Sequence, residues 1–298
     1  MDSRRDVLKA GLCGLAGAAL PFSAFGQSGL QVTPLGEAAV MIAGAGGNVL
    51  AVSDGQRVTL VDSGDGARTD ELMAAVGSAF PGLPVSTVFN THWHPGQTGG
   101  NAAFAGAGAD IVAHANTRLW MTTKVEWPWG GVAGPAPQDA WPGTVFYNDP
   151  FLRGAARAGY MLQAHTDGDI FVQFPEANII HVGGAIAADR WPEIDWWTGG
   201  WLGGLAEATE TLLQVSDADT RFVASEGPVF GRAELEAQRD MYTTLFLRFR
   251  DELLFTGLSP EEAAAARPTA DYRPEWGDPD PFVIKAYQSL WGYFAPDA

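Results

Sequence analysis

From residue 38 onward, short apolar runs alternate with glycine-rich or charged punctuation. Ala38-Ala39-Val40-Met41-Ile42, Asn48-Val49-Leu50-Ala51-Val52 and Val58-Thr59-Leu60-Val61 are separated by Gly44 to Gly47 and by Ser53-Asp54-Gly55. This pattern predicts three short strands in a meander. A helix is expected over Asp70 to Phe80, a strand over Val85 to Asn90 and another over Asp110 to Ala113, with Asn116 as N-cap of a helix running through Thr123. The second half repeats the plan, with strands near Tyr160, Ile170 and Ile180, a helix from Leu205 to Leu213, and the strand Phe222-Val223-Ala224. Two comparable halves of strands and helices predict the α/β class and an αββα sandwich, with a site at one edge of the sheets. No short internal repeat is present. Residues 231–298 read as a helical extension: Glu234 to Phe255 has helical periodicity, Ser259-Pro260-Glu261-Glu262 is a helix start, and Phe282 to Trp291 is amphipathic. That last segment is expected to pack on the core.

Residues 1–26 read as an address, not as structure. Ser3-Arg4-Arg5-Asp6-Val7-Leu8-Lys9 looks like a twin-arginine export signal, followed by the apolar, small-residue stretch Ala10 to Leu20 and by Ala24-Phe25-Gly26, which is similar to a cleavage site. The mature domain is then expected over 27–230, in the periplasm or secreted. The single cysteine, Cys13, leaves with the signal, which excludes both disulfides and thiolate metal ligands from the mature chain. A hydrophobic content of 46% with 18% charged residues describes a folded domain, and no apolar run in the body is long enough to span a bilayer. The net charge of −17 argues against nucleic acid as a partner, since phosphate backbones need a basic track.

Candidate chemistry centres on Thr91-His92-Trp93-His94-Pro95-Gly96-Gln97-Thr98-Gly99-Gly100-Asn101, where the strand ending at Asn90 gives way to a loop. Side chains at i and i+2 of extended backbone point the same way, so both imidazoles can converge on one metal ion. Other short segments accompany it in order: Val61-Asp62-Ser63-Gly64, His165-Thr166-Asp167-Gly168-Asp169, Ile179-Ile180-His181-Val182-Gly183-Gly184, Trp191-Pro192-Glu193-Ile194-Asp195 and Ser225-Glu226-Gly227-Pro228-Val229.

This series resembles the metallo-β-lactamase-fold superfamily, whose pattern runs V-D-T-G, T-H-x-H-x-D-H-x-G-G-N, H-T-x-G, G-D and G-H-G-P. The resemblance spans roughly Gly36 to Val229. It implies the αββα fold and a site for two metals. Matched position by position, His92, His94 and His165 keep the three-histidine site. The Asp and His that the pattern places after the second histidine are Gly96 and Gln97 here, the bridging Asp is Gly184, and the last His is Glu226. Every ligand particular to the second metal is missing. Asp62 resembles the family's supporting acid behind the ligands; as a residue it reads equally well as a turn aspartate. The nuclease branch is disfavoured by the acidity and by the lost second site. β-Lactam hydrolysis is also disfavoured, because the single-zinc lactamases use the site lost here.

The resemblance therefore implies a metal-dependent hydrolase with one zinc ion on His92, His94 and His165 that activates water, and Glu226 as the residue handling protons. The alternative is a degenerate member that binds a ligand or partner in the periplasm without turnover. The expected partner is a small-molecule substrate. Trp127, Trp129 and Trp141 in the proline- and glycine-rich stretch Val125 to Gly143, with Trp191, Trp196, Trp197 and Trp201, read either as an aromatic wall for an apolar or ring-containing group or as anchors of long loops. His114 and His181 lie on apolar strands and read as core histidines.

Overall fold

The first sheet begins with the edge strand β1 (Gln31–Pro34) and the hairpin-linked β2 (Ala39–Ala43), β3 (Val49–Ser53) and β4 (Val58–Val61), antiparallel throughout. The computed structural model describes residues 29–148 and 150–294, so the leader expected over 1–26 lies outside the described residues. Helix α1 (Thr69–Ala79) then crosses to β5 (Val85–Asn90). The short helices α2 (Pro95–Thr98) and α3 (Asn101–Gly106) lead to β6 (Asp110–His114). Helical crossovers return the chain in the same direction, so β4, β5 and β6 run parallel. After α4 (Ala115–Met121) and the two-residue hairpin β7 (Val125–Glu126) and β8 (Val132–Ala133), β9 (Thr144–Phe146) completes seven strands.

The second sheet has the order β10 (Phe151–Arg153), β11 (Ala156–Tyr160), β12 (Ile170–Phe174), β13 (Ile179–Gly183), β14 (Arg221–Ala224). It is antiparallel up to β13, and the crossover helix α5 (Leu202–Gln214) makes β14 parallel to it.

Alternation along each strand sorts side chains into different cores. Leu50, Val52 and Val61 face Ile170, Val172 and Ile179 in the space between the sheets. Val49, Ala51 and Leu60 face the other way, under Leu72 and Val76 of α1. Phe171, Ile180 and Val182 back onto Leu205 and Leu212 of α5. Helix, sheet, sheet and helix therefore stack as the sequence implies. Each fully buried Val, Leu or Ile contributes about 1.5–3 kcal/mol of burial.

Two element starts differ from expectation. The cap of α4 is His114, whose ring accepts from the Asn116 N–H; Asn116 is already helical and donates its amide to the Asp167 carbonyl at 2.9 Å. Strand β6 runs straight into the helix, leaving no loop for a separate cap. Helix α5 starts at Leu202, three residues early. Gly203 and Gly204 belong to its first turn, and both are glycine where a β-carbon would collide with the Trp201 ring at 203 and with the Gln163 carbonyl oxygen at 204.

The C-terminal helices α6 (Arg232–Arg248), α7 (Pro260–Ala265) and α8 (Asp280–Phe294) share the α5 core through Tyr242, Ala263, Ala264, Tyr287 and Leu290. Ser259 caps α7 in a capping box with Glu262, and Pro260 opens the first turn. Among the described residues, no helix is long and apolar enough to cross a membrane.

Candidate metal centre

The site forms where two pairs of parallel strands, one pair in each sheet, end. Asp62 follows β4, Thr91 and His92 follow β5, Gly184 follows β13, and Ser225 follows β14. Such a carboxyl edge is where ligands bind in open α/β sheets. His92 and His94 lie in the bend that follows β5, and α2 begins immediately after His94 (φ −59°, ψ 145°). His165 arrives from the loop between β11 and β12. The three imidazole centroids are 4.9, 4.7 and 4.9 Å apart, with planes at 87°, 84° and 81° to one another. One ring nitrogen from each lies within 4.8 Å of the other two, and among the described residues this is the one such group of His, Cys, Asp or Glu side chains.

Each ring is tied back by its other nitrogen. Thr91 donates its N–H to one Asp62 oxygen at 2.8 Å and its hydroxyl to the other at 2.9 Å. With the Thr91 hydroxyl proton given to Asp62, Thr91 Oγ1 is placed to accept from His92 Nδ1–H at 3.0 Å, which leaves Nε2 with its lone pair. Asp62 itself is held in left-handed backbone (φ 66°) while its carboxylate makes these bonds. His94 Nε2 donates to Asp195 at 2.9 Å, which leaves Nδ1 facing the other rings. Asp195 is fixed in turn by Trp127 Nε1 at 3.0 Å. His165 Nδ1 faces Asp169 at 3.4 Å, and Asp169 accepts the Thr166 N–H at 2.6 Å. Metal-bound histidines characteristically donate their outer N–H to a carboxylate, carbonyl or hydroxyl oxygen, which fixes tautomer and ring orientation. Three imidazole nitrogens with oxygen acceptors behind the rings form a donor set that suits zinc.

Burial holds His92 well below the usual histidine range and His94 below it, which favours the neutral, metal-binding form. For His165 burial also pulls downward, but the hydrogen bond and charge of Asp169, with Asp195 and Glu193, outweigh it and hold the ring above its usual value. Burial raises Asp195, and the bond and charge of His94 outweigh this to keep it below the carboxylate range. Burial pushes Asp62 up to about 8 against the two Thr91 hydrogen bonds, which favour the carboxylate.

The other residues expected at the site divide. A cavity of about 220 Å³ is lined by the three histidines with Gln97, Gly184, Arg190, Trp191 and Glu226. Gly184 offers only backbone, and a β-carbon there would lie 2.6 Å from His165 Nδ1, so the ring occupies the space a bridging side chain would need. Gln97 is the one side chain that Gly96 and Gln97 place in the cavity. Glu226 stands at the mouth, half exposed, ion-paired with Arg190, whose Nε also reaches Asp189 at 3.0 Å.

Of the loop tryptophans, Trp127 lies 6.1 Å from His94 and stacks on Trp93 at 5.5 Å. Trp129 follows at 6.4 Å from Trp127 and meets Trp196 at 5.7 Å. Trp141 instead packs into the satellite core of Trp93, Met121 and Val125. Trp191 alone among the seven lines the cavity. His114 and His181 are core residues. His114 stacks on Tyr160 at 4.0 Å, and His181 accepts from the Gly183 N–H and bonds the Asn48 carbonyl. Sequence reasoning missed Asp195, Asp169, Thr91 and Arg190 as site residues. Thr91 and Asp169 stand inside the histidine motifs, whereas Asp195 is 101 residues from His94 with no spacing to announce it.

The family model of the metallo-beta-lactamase superfamily matches residues 43–225. A solved metallo-beta-lactamase from Pontibacter korlensis is 20% identical, with a TM-score of 0.57 over 72% of this chain and 99% of that one. One from Hirschia baltica is 19% identical, TM-score 0.58, over 72% and 97%. The DIM-1 metallo-beta-lactamase is 15% identical, TM-score 0.60, over the same shares. At these identities the likeness is one of fold. With the family match covering most of the chain and the three histidines assembled at the strand ends, the chain belongs to the metallo-beta-lactamase superfamily.

Proposed function

We propose that this protein is a hydrolase that works with one zinc ion held by His92, His94 and His165, acting on a small molecule in the periplasm after twin-arginine export. The observation that carries this reading is the convergence of three ring nitrogens, each with its opposite nitrogen hydrogen-bonded to oxygen, beside a second position that offers only Gly96, Gln97 and Gly184. When bound, zinc supplies Lewis acidity, which brings the pKa of water toward ~7 and polarises a carbonyl.

The remaining work falls to the chain. Asp195, Asp169 and the Thr91–Asp62 pair orient the imidazoles, and Trp127 holds Asp195. Burial of His92 and His165 keeps bulk water from their ring faces. Glu226 is the candidate proton acceptor at the cavity mouth; to act, it exchanges its Arg190 partner for the substrate's side of the cavity. The export reading is supported by Arg4-Arg5 and the apolar stretch behind them.

Elemental analysis of the purified mature protein, run beside hydrolysis of ester, lactone and lactam panels, tests the reading. One zinc per chain with zinc-dependent turnover is the expected result. Two tightly held ions per chain would overturn the ligand assignment. One ion without turnover on any panel would favour a ligand-binding member of the family.

A further inference from the structure

Behind one wall of the metal cavity lies a second cavity of about 180 Å³, and the two share Arg190, Trp191, Pro192 and Glu193. This segment is a partition. It contains no helix or strand, so no backbone ladder fixes its position. What backs it is the C-terminal region. Trp191 stacks on Phe282 of α8 at 5.2 Å with 18° between the planes, and Trp276 meets it edge-on at 5.6 Å. Lys285, one turn further along α8, forms an ion pair with Glu193 and stands 5.0 Å over the ring of Trp129. One helix therefore holds the partition at two points and touches the tryptophan-rich loop as well. The family match ends at residue 225, so this buttress belongs to the part of the chain outside the shared domain.

We propose that α8 sets the position of Trp191 in the metal cavity, and that Trp191 selects substrates carrying a flat, apolar group beside the reacting centre. Trp191 is the specificity-determining face; Phe282 and Lys285 are its positioning residues. The physical ground is that an indole with one face packed on Phe282 turns a rigid aromatic surface toward the cavity. Rigid aromatic surface binds ring-containing groups at little entropic cost. Arg190 is also paired with Glu226 and Asp189, and Trp191 Nε1 donates to the Gly277 carbonyl at 3.4 Å, but the ring stack and the Glu193 ion pair are the two anchors that α8 itself supplies. The proposal rests on the reading of this cavity as a substrate site.

The test needs no turnover. Zinc-loaded protein is labelled with 5-fluorotryptophan, the Trp191 resonance is assigned with Trp191→Phe, and phenylacetate and acetate serve as inert ligands with and without a ring. Wild type is expected to bind phenylacetate in preference to acetate and to shift the Trp191 resonance as it does so. Phe282→Ala and Lys285→Met are each expected to move or broaden that resonance in the free protein and to lower the preference about tenfold, the scale of one lost apolar contact in a binding pocket. Lys285→Met changes a partly exposed side chain outside the buried core and guards against misfolding of the Phe282 variant. A Trp191 resonance unmoved in both variants would overturn the proposal. So would a wild-type preference retained in variants whose resonance has moved, or no preference in wild type. Zinc content of the same samples reports separately on the hydrolase reading.

Discussion

Asp195 shows how much of the proposed metal site rests on residues outside the histidine triad. Its carboxylate accepts from His94 and from Trp127. Replacing it with Asn removes the charge that stabilises the donated N–H, and zinc affinity measured by chelator competition is expected to fall about tenfold to a hundredfold. His165→Ala removes a ligand and is expected to abolish tight binding in the same assay. Gly184→Ala is the third case: a β-carbon 2.6 Å from His165 Nδ1 forces the ring aside, so the variant is expected to lose zinc although no ligand has changed. Retained zinc in Gly184→Ala would show that His165 can move at no cost. At this scale His92 and His94 were legible as a pair from their i, i+2 spacing, whereas His165, on a distant loop, was reached only through the resemblance to the family's H-T-x-G segment. Asp195 was not legible, because its partner is set by how two loops meet in three dimensions. The loss of the bridging residue was legible at Gly184; the physical reason, a ring filling its place, was not.

Elements were legible where one strand feeds two cores. Leu50 and Val49 point to opposite sides of the first sheet, both into apolar surroundings, so the strand reads as a continuous apolar run. Strand β1 was missed because Gln31-Val32-Thr33-Pro34 is a short edge with little burial and leaves no such run. The first turn of α5 was missed for a different reason: Gly203 and Gly204 look like a linker, but they are small because Trp201 and Gln163 lie against them. Helix propensity and packing therefore make opposite predictions for Gly204→Ala. Propensity favours alanine by roughly 1 kcal/mol. A β-carbon 2.0 Å from the Gln163 carbonyl oxygen forces backbone apart, and overpacking costs about 1–3 kcal/mol or more. Packing is expected to win, with a lower denaturant midpoint for the variant. A raised midpoint would show that the loop at Gln163 yields freely.

For the whole molecule, the proposed export and the stability in acid each lead to an expected outcome. Changing both Arg4 and Arg5 to Lys is expected to leave the precursor in the cytoplasm, as fractionation would show; normal export of that variant would refute the twin-arginine reading. Acid stability follows from His181, which is fully buried on β13. Its Nδ1 accepts the Gly183 N–H at 3.1 Å and its Nε2 bonds the Asn48 carbonyl at 3.2 Å, so both nitrogens are used in the neutral form. Burial pushes its pKa down to about 4, against about 6.5 in an unfolded chain. Between those values the unfolded state binds the proton and the native state does not, so stability is complete above pH ~6.5 and is lost as the pH falls toward 4. The shift corresponds to about 3 kcal/mol at full extent, at roughly 1.4 kcal/mol per unit. Protonating Nδ1 also removes the acceptor that anchors Gly183, whose left-handed backbone (φ 59°) turns the chain into the cavity wall. Urea midpoints of metal-free protein at pH 7, 5.5 and 4.5 measure the effect. His114, also pushed to about 4 by burial, steepens the curve in wild type and variant alike, so the comparison with His181→Gln isolates one residue. The variant is expected to be less stable at pH 7 and to lose less on acidification; equal losses in the two proteins would place the acid sensitivity elsewhere.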